Sequence, residues 1–193
     1  SPIFQQFIRL FAPLFGVMIF RNMIVSSLSV FMVVFLVDIR GYEIPLAASA
    51  LALYEFAGVG GALAGGTLSD RFGRRQTVAI AAVLSAIAMM LFIHIDGVLL
   101  VPILIMLGFT SLSVTPIFQA LVQDQLPNNR ATGSGMFILF AFIIRAINVM
   151  IAGYLGDLLG LQTTFIVLTL VSLVSLPIIM TLPASPKLKR DEA

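Results

Sequence analysis

Charge is scarce in this chain. Asp, Glu, Lys and Arg make up 10% of its 193 residues and hydrophobic residues 60%, whereas a soluble domain carries about 25% charge. An ordinary soluble domain is therefore excluded. Cysteine is absent, which removes thiolate metal sites and cysteine nucleophiles and leaves the redox compartment without a marker. Short alternating runs that would build a membrane barrel are also missing, so the spanning elements should be helices. The one histidine, His94, lies at the outer end of an apolar run. No buried imidazole is therefore at hand to activate Ser134, and Thr132 stands where a Gly-x-Ser-Gly membrane protease would begin with glycine. Arginines repeated at every third position are missing too, which excludes a voltage sensor.

What is present reads as a polytopic membrane protein. Apolar segments run near 11–37, 46–68, 77–95, 98–122, 133–155 and 164–182, each close to the ~20 residues that cross a bilayer core. Short connections join them: Asp38 to Pro45, Ser69 to Gln76, Asp96 to Gly97, Gln123 to Thr132, and Gly156 to Thr163. Residues 1–193 leave room for a single domain. Phe4 to Leu10 reads as a short interfacial helix, and 183–193 as a solvated tail. The chain begins at Ser1 rather than Met, which suggests a fragment, a processed form or one encoded half, and no cleavable targeting segment is visible.

Lysine and arginine in the connections set the orientation. Arg9, Arg71, Arg74, Arg75, Arg130, Lys187, Lys189 and Arg190 share one side, and Arg40 stands on the other. Both termini should be cytoplasmic, in the plasma (inner) membrane. The densest charge lies in GGTLSDRFGRRQ, Gly65 to Gln76, read as a tight aqueous turn between two spans.

The pattern Gly66, Leu68, Asp70, Arg71, Gly73, Arg74, Arg75 resembles the loop signature of major facilitator superfamily transporters, which lies between the second and third helices of a six-helix half. The resemblance covers essentially the whole chain. It implies an all-α, six-helix bundle that forms half of a transporter and is built as an inverted three-plus-three repeat. An internal echo agrees: a shift of 87 residues places Gly66 on Gly153, Leu68 on Leu155, Asp70 on Asp157 and Gly73 on Gly160, while Arg71 and Arg74 become Leu158 and Leu161. The second copy would lie on the opposite face, where positive charge is disfavoured. The family's glycine-containing fourth helix with arginine and its glycine-proline fifth helix, marks of an amino-terminal half, are missing. The QDQLPNNRATGSG connection and basic tail look like the carboxy-terminal half, and the closest likeness is to efflux-type members, including those exporting fosmidomycin.

Arg21, Glu55 and Arg145 lie ~9 to 12 residues from a helix end, near mid-bilayer at 1.5 Å per residue. A charge there costs ~3 kcal/mol or more unless it faces a partner or a wet cavity. All three are therefore expected to point inward, with Arg21 or Arg145 as local partners for Glu55. A carboxylic acid withdrawn from water takes up a proton more readily, whereas a nearby arginine opposes this. Glu55 is thus the candidate for proton coupling, and a static ion pair is the competing reading. Ser111, Thr115 and Gln119 recur at i, i+4 and i+8 on one face, with Gln123 continuing it. Asn22, Ser26 and Ser29 share another face, and Asn148 follows Arg145. Arg21, Asn22, Ser26, Thr115, Gln119, Arg145 and Asn148 are the expected cavity lining, although interhelical hydrogen bonding accounts equally well for individual Ser and Thr positions. Pro116 predicts a bend in the fourth segment. Gly58, Gly60, Gly61, Gly65 and Gly66 read as packing positions.

From the resemblance, Gly66, Asp70, Arg71, Gly73, Arg74 and Arg130 would form a conformational gate. Asp70 would cap the start of the fifth helix around Ala131 to Gly133, amid charges such as Asp124. Two arginines and one glutamate would give a net positive cavity and favour an anionic substrate. The expectation is a non-enzymatic, proton-coupled efflux transporter with no cofactor beyond a proton gradient. Its partners would be the lipid bilayer, a small-molecule substrate and a second six-helix half, which could be the rest of a longer chain, a separate subunit or a second copy; no nucleic acid is expected. A non-transporting receptor or assembly subunit on the same fold is the alternative.

Overall fold

In lipid every backbone polar group needs an internal partner, and this chain meets the demand with helices. A computed structural model describes residues 2–125 and 130–182, with no strand among them. Arg9 and Arg130 lie in helices, but their side chains, like the 183–193 tail, fall outside what is described. Six helical stretches are long and apolar enough to cross a membrane: Phe11–Ile39, Ile44–Phe72, Arg74–His94, Gly97–Asp124, Ala131–Leu159 and Leu161–Ile179. The chain is a multi-pass membrane protein of the all-α class. Stretches of 29 residues are about 44 Å long at 1.5 Å per residue, so they project past the hydrocarbon or tilt within it.

The signature is less of a loop than expected. The second span stays helical through Asp70 and Arg71 to Phe72, and the third begins at Arg74. Past the hydrocarbon, charged residues no longer oppose the helix, so Gly73 alone makes the turn, at φ 91°, where a Cβ would be strained. The inverted repeat is visible here. Gly160, 87 residues on, has φ 81°, and both glycines donate to a carbonyl four residues back (Ser69, Gly156) and accept from a threonine amide four residues on (Thr77, Thr164). Phe4 to Leu10 is continuous with the first span, in one helix Pro2–Val34.

Two spans are interrupted. The fourth divides into Leu100–Leu112 and Val114–Gln125, with Ser113 as a turn between them, and the sixth breaks at Leu173 and Val174 before Ser175–Ile179. Each break precedes a proline, Pro116 or Pro177, by a few residues. The missing N–H and the ring's clash with the carbonyl four residues back account for both.

Packing fills the bundle as two large apolar layers and a small third cluster of Met23, Ala152 and Leu168. Phe11, Leu14, Met18, Ile117, Phe118 and Phe137 belong to the layer nearer Asp70; Ile24, Leu28, Phe35, Phe92, Leu104 and Phe165 belong to the other. Phe35, Phe92 and Phe165 form a ring triad, with centroids 5.1 to 6.5 Å apart. The second span packs chiefly on the fourth and the fifth chiefly on the first. Only 22% of the apolar window of the second or fifth span is buried, against 39 to 50% in the other four. Those two helices thus carry the largest uncovered faces.

Arg40, the lone positive residue at the far end, is a cap. Its guanidinium pairs with Asp96, donates to the Ile95 and Phe92 carbonyls at 3.2 Å and to that of Ile93, and stands over the Phe35 ring. These carbonyls end the third span, where a cation offsets the helix dipole. Arg40→Ala should cost about 2 kcal/mol, a Tm drop of roughly 4–8 °C at this chain length. Asp96→Asn, which removes an exposed partner, should cost about 1 kcal/mol or less. Thermal unfolding in detergent checks the order; equal losses would contradict a capping role.

Candidate functional site

Arg21 is 2% exposed and lies inside the bundle. Its Nη2 donates to the Thr110 carbonyl at 3.0 Å and the Ala81 carbonyl at 3.3 Å, while Nε and Nη1 are buried without a partner. Glu55 and Arg145 are exposed on the second and fifth spans. The three do not form the expected ion pair: among the described residues no cation stands within salt-bridge distance of Glu55, whose Oε1 instead accepts from Ser29 Oγ at 3.1 Å. The uncovered face therefore bears one acid and one base, rather than two arginines against one glutamate.

Tyr54, which no periodicity singles out, joins these positions. It is fully buried, and its hydroxyl faces Ser111 and lies within electrostatic reach of Arg21, Glu55 and Arg145. Neither Tyr54 Oη nor Ser111 Oγ closes a hydrogen bond of ordinary geometry. A tyrosine adjoining a mid-span carboxylate was the available sequence signal.

The remaining polar positions are divided. Thr115 is exposed and Gln119 half-buried, while Ser111 is sealed, because the break at Ser113 lies between them and interrupts the shared face. Asn22 is half-buried and Ser26 buried. Asn148 is 2% exposed and donates to the Ile19 carbonyl at 3.0 Å, tying the fifth span to the first. Gln123 Nε2 donates to Ser134 Oγ at 3.0 Å, joining the ends of the fourth and fifth spans. Among the described residues no group of three His, Asp or Glu could hold a metal.

At the Gly73 end, Arg74 is the hub. Its Nη1 lies 2.6 Å from Asp124 Oδ2, an ion pair misaligned for a hydrogen bond, and its Nη2 lies 3.9 Å from Asp70. Asp70 and Arg71 are exposed, Gly66 and Gly73 half-buried. Asp70 makes no hydrogen bond to Ala131–Gly133 among the described residues; Asp124, on the fourth span, provides the closer anion. A double-mutant cycle on Arg74→Gln and Asp124→Asn should give a coupling of about 0.5–1 kcal/mol, against roughly 0.3 or less for Arg74→Gln and Asp70→Asn. Unfolding midpoints measure both, and a larger Asp70 coupling would contradict this order.

Fold and site together define half of a pseudo-symmetric helical membrane bundle, with one charged face uncovered and an ion-paired turn at one end. The sequence profile of the Major Facilitator Superfamily matches residues 11–193, and the chain belongs to that family. It is 27% identical over 152 residues to the "Uncharacterized MFS-type transporter YfnC" of Bacillus subtilis (strain 168), covering 79% of this chain and 37% of that relative. Crystal structures of a mutant of the peptide transporter POT share the fold. The sulfate complex has a TM-score of 0.74 and the alafosfalin complex 0.73, each at 15% identity and covering 87% of this chain. The chain spans 36 to 37% of the length of those proteins.

Proposed function

We propose that this chain is one six-helix half, most like the carboxy-terminal one, of a secondary transporter that moves a small molecule by alternating access, without enzymatic chemistry. A second six-helix half, whether part of a longer chain, a separate subunit or a second copy, covers the faces of the second and fifth spans. The path runs between the halves. The observation that carries this reading is the uncovered face itself: a mid-span carboxylate and a mid-span guanidinium, both exposed, on the two least buried spans of a protein whose described charges, the buried Arg21 apart, are otherwise near helix ends.

In this reading Glu55 loads and releases the coupling proton. With no ion pair among the described residues, it can change charge without leaving a cation unpaired. With Glu55 protonated, Arg145 leaves the path positive, which favours an organic anion or an amphipathic drug with an anionic group. The signature turn, with Gly66, Asp70, Arg71, Gly73, Arg74 and Arg130, holds one access state at the cytoplasmic end. Both termini are cytoplasmic, the membrane is the plasma (inner) membrane, and the direction is efflux, as in fosmidomycin exporters. Flux in proteoliposomes of the intact protein under an imposed pH gradient, screened over organic anions and amphipathic drugs, tests the proposal. Gradient-dependent flux supports it; binding with no flux under any gradient overturns it in favour of a receptor.

A further inference from the structure

Arg21 is seated where the fourth span breaks. The Thr110 carbonyl that accepts its Nη2 also accepts from Ser113 Oγ at 3.0 Å, and the helix stops at Leu112 and resumes at Val114. Pro116 has no N–H to offer the Leu112 carbonyl, so the backbone ladder is weakest here. Two side-chain donors, Arg21 from the first span and Ser113 in the gap itself, hold the last turn before it. We propose that Arg21 is a latch on a two-part fourth span, whose release lets Val114–Gln125 swing and carry Asp124 away from Arg74. The inference rests on the alternating-access reading and assigns the moving part within this half.

Three further observations support a latch over a plain packing residue. The second span meets the break with glycines. A Cβ on Gly61 would run into the Phe109 backbone, and one on Gly65 into that of Ser113. At these two positions the helices touch along backbone, while one turn earlier the Leu112 side chain fills the space over Gly58 and belongs to the part that stays in place. The segment beyond the break seats Val114, Ile117, Phe118, Leu121 and Val122 in the apolar layer nearer Asp70, and its contacts at the far tip are polar: the Arg74 ion pair and the Gln123–Ser134 hydrogen bond. The tip contacts can be exchanged for water, and the buried apolar row sets the cost of the swing. The seat of Arg21 is also incomplete, since Nε and Nη1 are buried and unpaired between the two apolar layers. A displaced segment that admits water from the uncovered face would satisfy both, so the latched and released states are drawn together in energy.

Hydrogen–deuterium exchange on the intact protein in lipid nanodiscs tests this without substrate or gradient. Arg21→Gln should speed exchange of the amides between 113 and 118 about tenfold and leave 100–107 unchanged. Ser113→Ala, which removes the second donor to the same carbonyl, should act in the same window and decides the matter if Arg21→Gln does not fold. Arg74→Ala should loosen 119–125 and leave 113–118 unchanged. Unchanged exchange at 113–118 in both latch variants, or an even rise through all six spans, overturns the latch. A tip that loosens in Arg74→Ala while Arg21→Gln is silent sinks the latch and leaves the gate intact. Absence of flux in every assay sinks the transport reading, whatever the exchange pattern.

Discussion

Glu55→Gln should lower pH-driven accumulation at least about tenfold, to the leak of empty liposomes, while leaving substrate counterflow within roughly twofold. The amide keeps the shape of the side chain and can still accept from Ser29 Oγ, which lies 3.1 Å from Oε1, so local packing is preserved. What is lost is a group that can gain and release a proton at mid-span. Among the described residues Glu55 has no ion-pair partner, so neutralising it strands no buried cation. Counterflow does not require net proton movement and should survive. Unchanged accumulation in well-folded protein would end the role of Glu55 in coupling. Equal loss of both activities would move it from coupling to substrate binding.

Gly61→Val should cost about 3 kcal/mol or more, a fall in Tm of roughly 6–12 °C. A Cβ at Gly61 would overlap the Phe109 carbonyl on the fourth span, and backbone cannot turn aside as a side chain can. Gly61 and Gly65 stand at GxxxG spacing on the buried side of the second span, where small residues let helices touch. Gly60 is the control: a Cβ there meets nothing within 4 Å. Gly60→Ala should be neutral or stabilising by up to about 1 kcal/mol through helix propensity. Thermal unfolding of both variants in detergent separates the positions, and similar Tm values would contradict the close contact of the two spans.

Much of the fold was legible because lipid imposes simple rules. Apolar length gave the spans, and the 87-residue echo of Gly73 in Gly160 marked the repeat that the matched backbone geometry displays. Helix ends were harder to read: Asp70 and Arg71 suggested a loop, yet charge beyond the hydrocarbon does not stop a helix, and the turn narrowed to one glycine. The site was legible in part. Depth says that a charge is costly but not which way it points. Arg21 therefore looked equivalent to Glu55 and Arg145, although carbonyls of the third and fourth spans enclose it. The stripe of Ser111, Thr115 and Gln119 assumed an unbroken helix, and Pro116 divides it. Tyr54 carries no mark of its own in the sequence because its significance lies in its neighbours, and neighbours across spans are not written in spacing.

The central claim is that the uncovered faces of the second and fifth spans line water rather than lipid. Cysteine scanning addresses it directly, since the chain contains no cysteine of its own. Ala52→Cys and Phe142→Cys lie on exposed positions near Glu55 and Arg145, whereas Ile80→Cys and Leu170→Cys lie on exposed positions of the third and sixth spans. In the intact protein in membrane vesicles, a charged, membrane-impermeant thiol reagent should label the first pair and spare the second, and a lipid-soluble reagent should do the reverse. Labelling of all four positions by the lipid-soluble reagent alone would contradict the account.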